Sequence, residues 1–493
     1  MEWCMEDVDE NRTLDLGRWA AGAAGERVPG KRLRSDSRTV EAGDVFVASG
    51  RDDRVGAHIA QALERGAAVV LADLEVVERD GASADPRVRG IRGLRDVVGA
   101  LADDYTGRPS ADMTLVGVTG TNGKTSTVQL LAQSWDRIGI TAGSIGTLGA
   151  GVHGALAETA LTTPSVVEMH ELLADLRAAG ARAVGIELSS HALAQGRADG
   201  CRFDIAAFTN FTRDHLDYHG SMDAYAAAKR RILELPGIRS AVLNLDDPFV
   251  GSLAPPAGVR RVGVSTSAIG AAEVSAGDIR LRPDGADFTL DVDGERIEVR
   301  SPLIGRFNVD NIVMTAAILH AQGLDAADIA TAVGTTARVP GRMQVVHPGG
   351  DGAPRVVVDY AHTPDGLRQA LDAFASREGK LVLVFGGRGD RDRGKRAEMG
   401  RIAEAGTDGV VLTDDDLHHE DGDAIIADLL AGFSRPDAVH VDRDRASAIR
   451  DAIRAAGPDD IVLITGKGHE SVRIVGNEAV PFDDVGIAAS ALP

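Results

Sequence analysis

MTLVGVTGTNGKTSTVQLLAQSW, Met113 to Trp135, is the stretch whose reading decides the fold. It runs from an apolar, β-branched segment, through a turn containing Gly120 and Gly123, into residues spaced as an amphipathic helix. A strand that feeds a helix through such a turn aims backbone amides and the positive end of the helix at one point, which favours phosphate. The general pattern GxxxxGK[ST] is missed by one place, because Val118 stands where the first glycine belongs and Gly117 lies one earlier. Gly120 and Gly123 still let the backbone approach phosphate closely, and Thr121, Asn122 and Ser126 complete the loop. Lys124 is placed to reach β- and γ-phosphates, and Thr125 to offer its hydroxyl to Mg²⁺. The competing reading is a structural turn with a solvent-facing lysine.

Working outward, buried-looking strands follow in "ARAVGIEL", "FDIAAFTN" and "SAVLNL", with helical patterns between the earlier ones, as in a parallel sheet. "ADFTLDVDGERIEV" alternates polar and apolar residues and reads as an antiparallel excursion. The helix in "NVDNIVMTAAILHAQG" stops at Gly323. A third block, from about "VPGRMQVV", repeats the strand–helix theme through "KLVLVFGGRG", "GVVLTDDD" and "IVLITGKGHE" and reads as a doubly wound sheet. An earlier block, ending near "DDYTGRPSAD", has its own strand and helix signals. The expectation is an α/β protein of three domains, 1–107, 108–340 and 341–493: a small N-terminal α/β domain, a central P-loop domain with a parallel sheet, and a Rossmann-like C-terminal domain.

A net charge of -21 argues against a nucleic-acid binder, which needs a basic face. Two cysteines, Cys4 and Cys201, without a CxxC, suit a reducing cytoplasm. The acidic start "MEWCMEDVDENRTLD" is no signal peptide, and no apolar run is long enough for a membrane span.

In a parallel sheet, Glu187 past one strand and Asn210, Asp214 and His215 past another converge on the edge that carries the phosphate loop. Glu187 is therefore a candidate Mg²⁺ ligand. His215 and His219 have a zinc-compatible spacing, but no HExxH and no third ligand accompany them. On composition alone Lys229 is a surface lysine.

The ordered set "DSRTVEAGDVFVA", "GVTGTNGKTST", "LTTPS", "ELSSHALAQGR", "FTNFTRDHLDYHG", "AAAK", "NLDDP", "GRFNVDN", "VDYAHTPDGL", "GGRGDRDRGKR" and "ITGKGHE" resembles the Mur ligases of peptidoglycan synthesis over nearly the whole chain. The similarity is to the type that adds the third peptide residue to UDP-N-acetylmuramoyl-L-alanyl-D-glutamate. The resemblance implies an N-terminal UDP-binding domain, a central ATP-binding domain and a C-terminal amino-acid-binding domain, with ATP and Mg²⁺ as cofactors. It implies ATP contacts from the loop residues, Asn308, Arg342 and His362. It places Lys124, Glu187, His215 and Lys229 in catalysis, with Thr125, Glu187, His215 and a carbamylated Lys229 at the metal. Ser35, Ser37 and Arg38 fall in the uridine segment; Thr162, Thr163, Ser189, Gln195 and Arg197 match the holders of the muramoyl dipeptide. One departure is "GRDDRVGAHI", where the loop Gly50–Gly56 lacks the usual "DG" pair, Val55 standing before Gly56, and differs in length. Partners are the UDP-sugar dipeptide and a free amino acid, and a monomer is expected.

The amino acid is read from "TDDDLHHED", Thr413 to Asp421. Diaminopimelate-adding members carry Asp-Asn-Pro-Arg there, the arginine pairing with the distal carboxylate. Asp415, Asp416, Leu417 and His418 occupy those places, so the arginine is absent. Two acids, with Glu470 as a third and Gly466 in the same motif, suit a terminal ammonium, while Arg391 is retained for the α-carboxylate. The expectation is a diamino acid without a second carboxylate: L-lysine first, ornithine or diaminobutyrate next. Alternatives are the same reaction with meso-diaminopimelate, or a ligase of this fold from another pathway, such as a folylpolyglutamate or cyanophycin synthetase. A nucleotide-gated binding protein that has lost its chemistry is opposed by intact Lys124, Glu187 and Lys229.

Overall fold

The computed structural model describes residues 12–20, 25–50, 54–80, 85–267 and 272–492. The acidic N-terminal stretch to residue 11, with Cys4, and residues 51–53 of the Gly50–Gly56 loop lie outside the described residues.

Three sheets organise the chain. A four-stranded parallel sheet is built from Leu33–Arg34, Val45–Ala48, Val69–Asp73 and Val88–Ile91. The second sheet has eleven strands. At its centre lies Thr114–Thr119, flanked in parallel by Ala183–Glu187 on one side and Ile205–Phe208 on the other. Register aligns Glu187 with Val118 and Phe208 with Thr119, so all three strands end level and their following loops share one edge. This is the topological position at which open α/β sheets bind ligands.

The alternating stretch forms the antiparallel strands Gly285–Val292 and Glu295–Ser301, which join the far edge of the same sheet through Val274–Arg282. The third sheet orders Gln344–Gly350, Ala353–Asp359, Ile461–Thr465, Leu381–Phe385, Gly409–Leu412 and His440–Val441, parallel except for its first pair.

Helix Lys124–Arg137 packs on the central sheet through Val128, Leu131 and Trp135, each fully buried. Helix Arg306–Gln322 lies beside it; its run of Val313, Ala316, Ala317, Ile318 and Leu319 is buried nearly all round, as an element between other elements must be. Trp135 places its indole N–H on Gln322 at 2.8 Å, which satisfies the one polar atom in that contact. Gly323 closes the helix at φ 100°, a conformation that glycine adopts without a Cβ penalty.

The C-terminal domain is closed onto the central one. Asn122 Nδ2 donates to Asp365 (3.1 Å), Arg342 to Thr125 (3.0 Å), and His469 Nε2 contacts the Thr147 carbonyl (3.2 Å). Two ion pairs cross the same gap, Arg213–Asp392 (3.1 Å) and Lys395–Asp214 (3.3 Å).

Candidate active site

Between the central and C-terminal domains opens a cleft of ≈ 680 Å³. Its floor is the phosphate loop. Gly120 and Gly123 have φ of 144° and 85°, and a Cβ on them would lie 1.8 Å from Thr209 Oγ1 and 2.6 Å from Asn311 Oδ1. The loop is thus shaped for glycine at both places and gripped from behind: Thr209 Oγ1 and Asn210 Nδ2 both donate to the Asn122 carbonyl, and Asn122 N donates to Asn210 Oδ1. Thr121, Asn122, Gly123, Lys124, Thr125 and Ser126 all line the cleft.

Lys124 Nζ donates to the carbonyls of Gly120 and Thr121, both at 2.8 Å. Lys229 is buried, with 1% of its surface exposed, and its Nζ donates at 2.6 Å to the same Gly120 carbonyl. Burial first, and then the Lys124 charge, push the Lys229 amine well below its ordinary pKa. The surface-lysine reading is therefore wrong: helix Met222–Arg230 turns this residue inward, beneath the phosphate loop.

Glu187 accepts from Thr147 N at 2.8 Å, from Thr125 Oγ1 at 3.0 Å, and lies 3.1 Å from Thr147 Oγ1. Asp214 is buried; burial alone would raise its pKa, but Lys395 and then His215 hold it below the usual carboxylate range. His215 has left-handed φ (53°) and turns Nε2 toward Asp214 at 3.3 Å. Burial, opposed by Asp214, holds its pKa down at about 3, so the imidazole is neutral. His362 is likewise neutral, with pKa about 4 from burial; its Nδ1 faces the Tyr360 carbonyl at 2.9 Å.

Mg²⁺ fits this end of the cleft by chemistry: Thr125 and Glu187 are hard oxygen donors beside the phosphate cradle. Among the described residues no group of three His, Cys, Asp or Glu could hold a metal. The zinc reading of His215 and His219 has no support here; His219 Nε2 is 3.0 Å from Ser190 Oγ.

Thr162, Thr163, Ser189 and Arg197 line the cleft beyond Glu187. Arg197 donates to the Thr163 carbonyl (2.8 Å) and is held by Gln195 Oε1 (2.6 Å), which places Gln195 behind it. Ser35, Ser37 and Arg38 form a separate depression on the N-terminal domain with His58 and Gln61. Ser35 touches Ser165 of the central domain at 3.1 Å, and Ser37 donates to Gln61 at 2.7 Å.

Arg342, His362 and Arg391 line the cleft from the C-terminal side, but Asn308 does not. Asn308 is buried and caps its own helix backward, donating to the Ile304 carbonyl at 2.8 Å. Asn311, one turn on, faces the loop instead, together with Asp310 and Met314.

The larger correction concerns the acidic stretch. Asp415 and Asp416 are buried and do not line the cleft. Lys467 Nζ binds Asp416 at 2.9 Å and lies 3.9 Å from Asp415; Arg388 stands 3.8 Å from Asp415. Burial would raise the Asp415 carboxyl, yet Arg388, Arg445 and Lys467 hold it down at about 2. Asp416 is paired with Lys467, Asp415 is surrounded by cations of which the nearest is 3.8 Å away, and neither acid opens to the cleft for a substrate ammonium. Gly466 is structural: φ is 119°, and a Cβ there would sit 2.4 Å from Asp415 Oδ2. His418, left-handed at φ 48°, is tied by backbone to Ile474 and Gly476 and also lies off the cleft. Glu470 is partly reachable, bound by Lys467 (2.9 Å) and Arg388 (2.7 Å).

Cleft residues not singled out from the sequence include Thr147, Asp246, Thr266, Asp310, Tyr360, Asp365, Arg388 and Lys395. Most lie inside motifs already quoted; Thr147 was findable only from its place just past strand Ala142–Gly146, a neighbour of Ala183–Glu187.

Residues 118–319 match the model of the Mur ligase middle domain, and 341–468 that of the Mur ligase glutamate ligase domain. A UDP-N-acetylmuramoyl-L-alanyl-D-glutamate--2,6-diaminopimelate ligase of Xanthomonas oryzae pv. oryzae is 50% identical over 467 residues, 93% of each chain. The chain belongs to the Mur ligase family. The enzyme of the same name from Xylella fastidiosa is 48% identical over 469 residues, again 93% of each chain. A solved structure of a ligase of that name is 34% identical with a TM-score of 0.64, covering 94% of both chains. As a Mur ligase of the third-residue-adding type, the protein is an ATP-dependent, ADP-forming amide ligase that uses ATP and Mg²⁺. The preference for lysine expected from the acidic stretch finds no support: the relatives are named for a diamino diacid, and the acids behind that expectation are neutralised internally.

Proposed function

We propose that this Mur ligase joins meso-diaminopimelate to the D-glutamate of UDP-N-acetylmuramoyl-L-alanyl-D-glutamate, in the cytoplasm, through an acyl phosphate. The observation that carries the reading is the convergence in one closed cleft of the phosphate loop, the Glu187–Thr125 pair, Arg197, and a C-terminal wall bearing Arg391. The name shared by relatives up to 50% identical supports the choice of amino acid.

The chemistry follows from the groups present. A carboxylate is a poor electrophile, so its oxygen first attacks the γ-phosphorus of ATP and ADP leaves. The amine of the incoming amino acid then attacks the acyl carbon, loses a proton, and phosphate leaves. Lys124 neutralises charge on the transferring phosphoryl group, and loop amides share that work. Thr125 and Glu187 would hold Mg²⁺, which supplies further charge neutralisation when bound. Two lysines on one carbonyl repel each other; carbamylation of Lys229 turns that repulsion into attraction and puts an anionic oxygen donor beneath the loop, which Mg²⁺ would use when bound. His215 keeps Asp214 in place rather than carrying charge. Thr162, Thr163, Ser189 and Arg197 hold the dipeptide arm, with Gln195 positioning Arg197, and Ser35, Ser37 and Arg38 hold the uridine. Closure of the C-terminal domain brings the amine to the acyl phosphate and keeps water out.

The test is ADP release by the purified protein. It should require both the UDP-muramoyl dipeptide and meso-diaminopimelate, with L-lysine a poor substitute. Turnover without the dipeptide, or faster turnover with lysine, would refute the assignment.

A further inference from the structure

A diamino diacid presents two carboxylates, and the loop Thr413–Asp421 has no arginine for the second. The C-terminal wall of the cleft nevertheless carries three arginines; Arg342 is bonded to Thr125 beside the phosphate loop, which leaves Arg391 and Arg388 for the amino acid. Arg388 follows strand Leu381–Phe385, while the loop that holds Asp415 and Asp416 follows the neighbouring parallel strand Gly409–Leu412. One side chain therefore leans over the other strand's loop.

The guanidinium of Arg388 is held from several sides. Nη1 donates to Tyr360 OH at 3.3 Å, and Nη2 to the Gly466 carbonyl at 3.3 Å and to Glu470 at 2.7 Å. Its charge lies over the Tyr360 ring, 5.1 Å from the centroid. Nε is buried and makes no hydrogen bond, with Asp415 and Asp416 no nearer than 3.8 and 4.0 Å. Arg388 lines the cleft with its side chain 14% exposed, and Glu470, held directly behind it by the 2.7 Å contact, is 23% exposed.

We infer that Arg388 reads the distal carboxylate of the incoming amino acid, with Glu470 taking the ammonium on the same carbon; this rests on the diaminopimelate reading above. A zwitterionic terminus splits the Arg388–Glu470 pair and repairs both halves: its carboxylate takes the guanidinium and its ammonium takes Glu470. A lysine side chain takes Glu470 alone and leaves Arg388 without its 2.7 Å partner in a place largely closed to water. The same pair therefore both accepts the diacid and rejects the monocarboxylate.

The experiment measures kcat and KM of wild type, Arg388→Gln and Arg388→Lys for meso-diaminopimelate, L-lysine, ATP and the UDP-muramoyl dipeptide. Loss of a desolvated guanidinium–carboxylate contact predicts a rise of roughly 30-fold or more in the KM for meso-diaminopimelate in Arg388→Gln. The KM values for ATP and dipeptide should stay near wild type, and the preference for diaminopimelate over lysine should collapse by a similar factor. Arg388→Lys keeps the charge without the fork and should fall between. It carries the test alone if thermal melting shows the glutamine variant unfolded. Wild type preferring diaminopimelate while both folded variants keep that preference overturns the role of Arg388 and leaves the function standing. Wild type preferring lysine overturns both.

Discussion

At the residue scale, Lys229 shows how far a side chain's role depends on what lies over it. Four carbons of stem inside an Ala-rich helix look like an exposed lysine, yet the ammonium is buried under Gly120 and faces Lys124. A neutral amine in such a place reacts with carbon dioxide far more readily than an ammonium does. We expect Lys229→Ala to lower kcat by about 100-fold or more, the order attributed to removing one preorganised charged group. Short carboxylates should rescue it partly, and wild type incubated with ¹³C-bicarbonate should show a carbamate resonance. Full activity in the alanine variant would end the carbamate proposal. Lys124→Ala should abolish ADP release while leaving the melting temperature nearly unchanged, since its partners are two carbonyls at the edge of the cleft.

At the element scale, the helix Val166–Ala178 joins the first two domains. Glu171 binds Arg12 at 2.8 Å and accepts from Leu33 N at 2.8 Å, while on the same helix His170 lies buried with Nε2 3.0 Å from the Asp199 carbonyl. Burial holds the His170 pKa down at about 4 against an ordinary 6.5. The unfolded chain therefore takes up this proton first on acidification. The His170 contribution to stability should be complete above pH 6.5 and decline as pH falls toward 4, by up to roughly 3 kcal/mol. His170→Gln, which keeps a donor for Asp199, should melt with a visibly flatter pH dependence over that window; an unchanged dependence would exclude His170 as its source. In the phosphate loop, Gly120→Ala drives a Cβ into Thr209 Oγ1 and should cost about 1–3 kcal/mol of stability while weakening ATP binding, measured by calorimetry.

At the scale of the whole molecule, the mechanism proposed above needs the C-terminal domain seated, and the seat is polar. Arg213–Asp392 lies at its rim, with Arg213 44% exposed, whereas Lys395–Asp214 is buried. A rim pair is worth under about 1 kcal/mol, so charge reversal in Arg213→Asp should lower kcat/KM by only about fivefold, with a larger radius of gyration in small-angle scattering. The swap of Arg213→Asp with Asp392→Arg should restore both. If the single variant keeps the compact radius, the pair plays no part in closure.

Most of the fold was readable along the chain because periodicity, turn residues and the order of elements are local properties. The strand–loop–helix at Met113–Trp135, the antiparallel excursion and the stop at Gly323 are each written in adjacent residues. So were Lys124, Thr125 and Glu187, since strand ends in a parallel sheet share an edge. Direction of side chains was not local. Asn308 and Asn311 differ by one helical turn, and packing alone turns the first inward and the second to the cleft. The acids of "TDDDLHHED" carried a charge that composition could count, but their partners, Lys467, Arg388 and Arg445, come from other strands and another helix. The sequence by itself determined the family, the glycine-bearing strand–loop–helix and the class of chemistry, because these reside in short ordered motifs. Only the tertiary structure decided which charges were already neutralised and which still faced substrate, because electrostatic pairing depends on distance in space and not on separation along the chain.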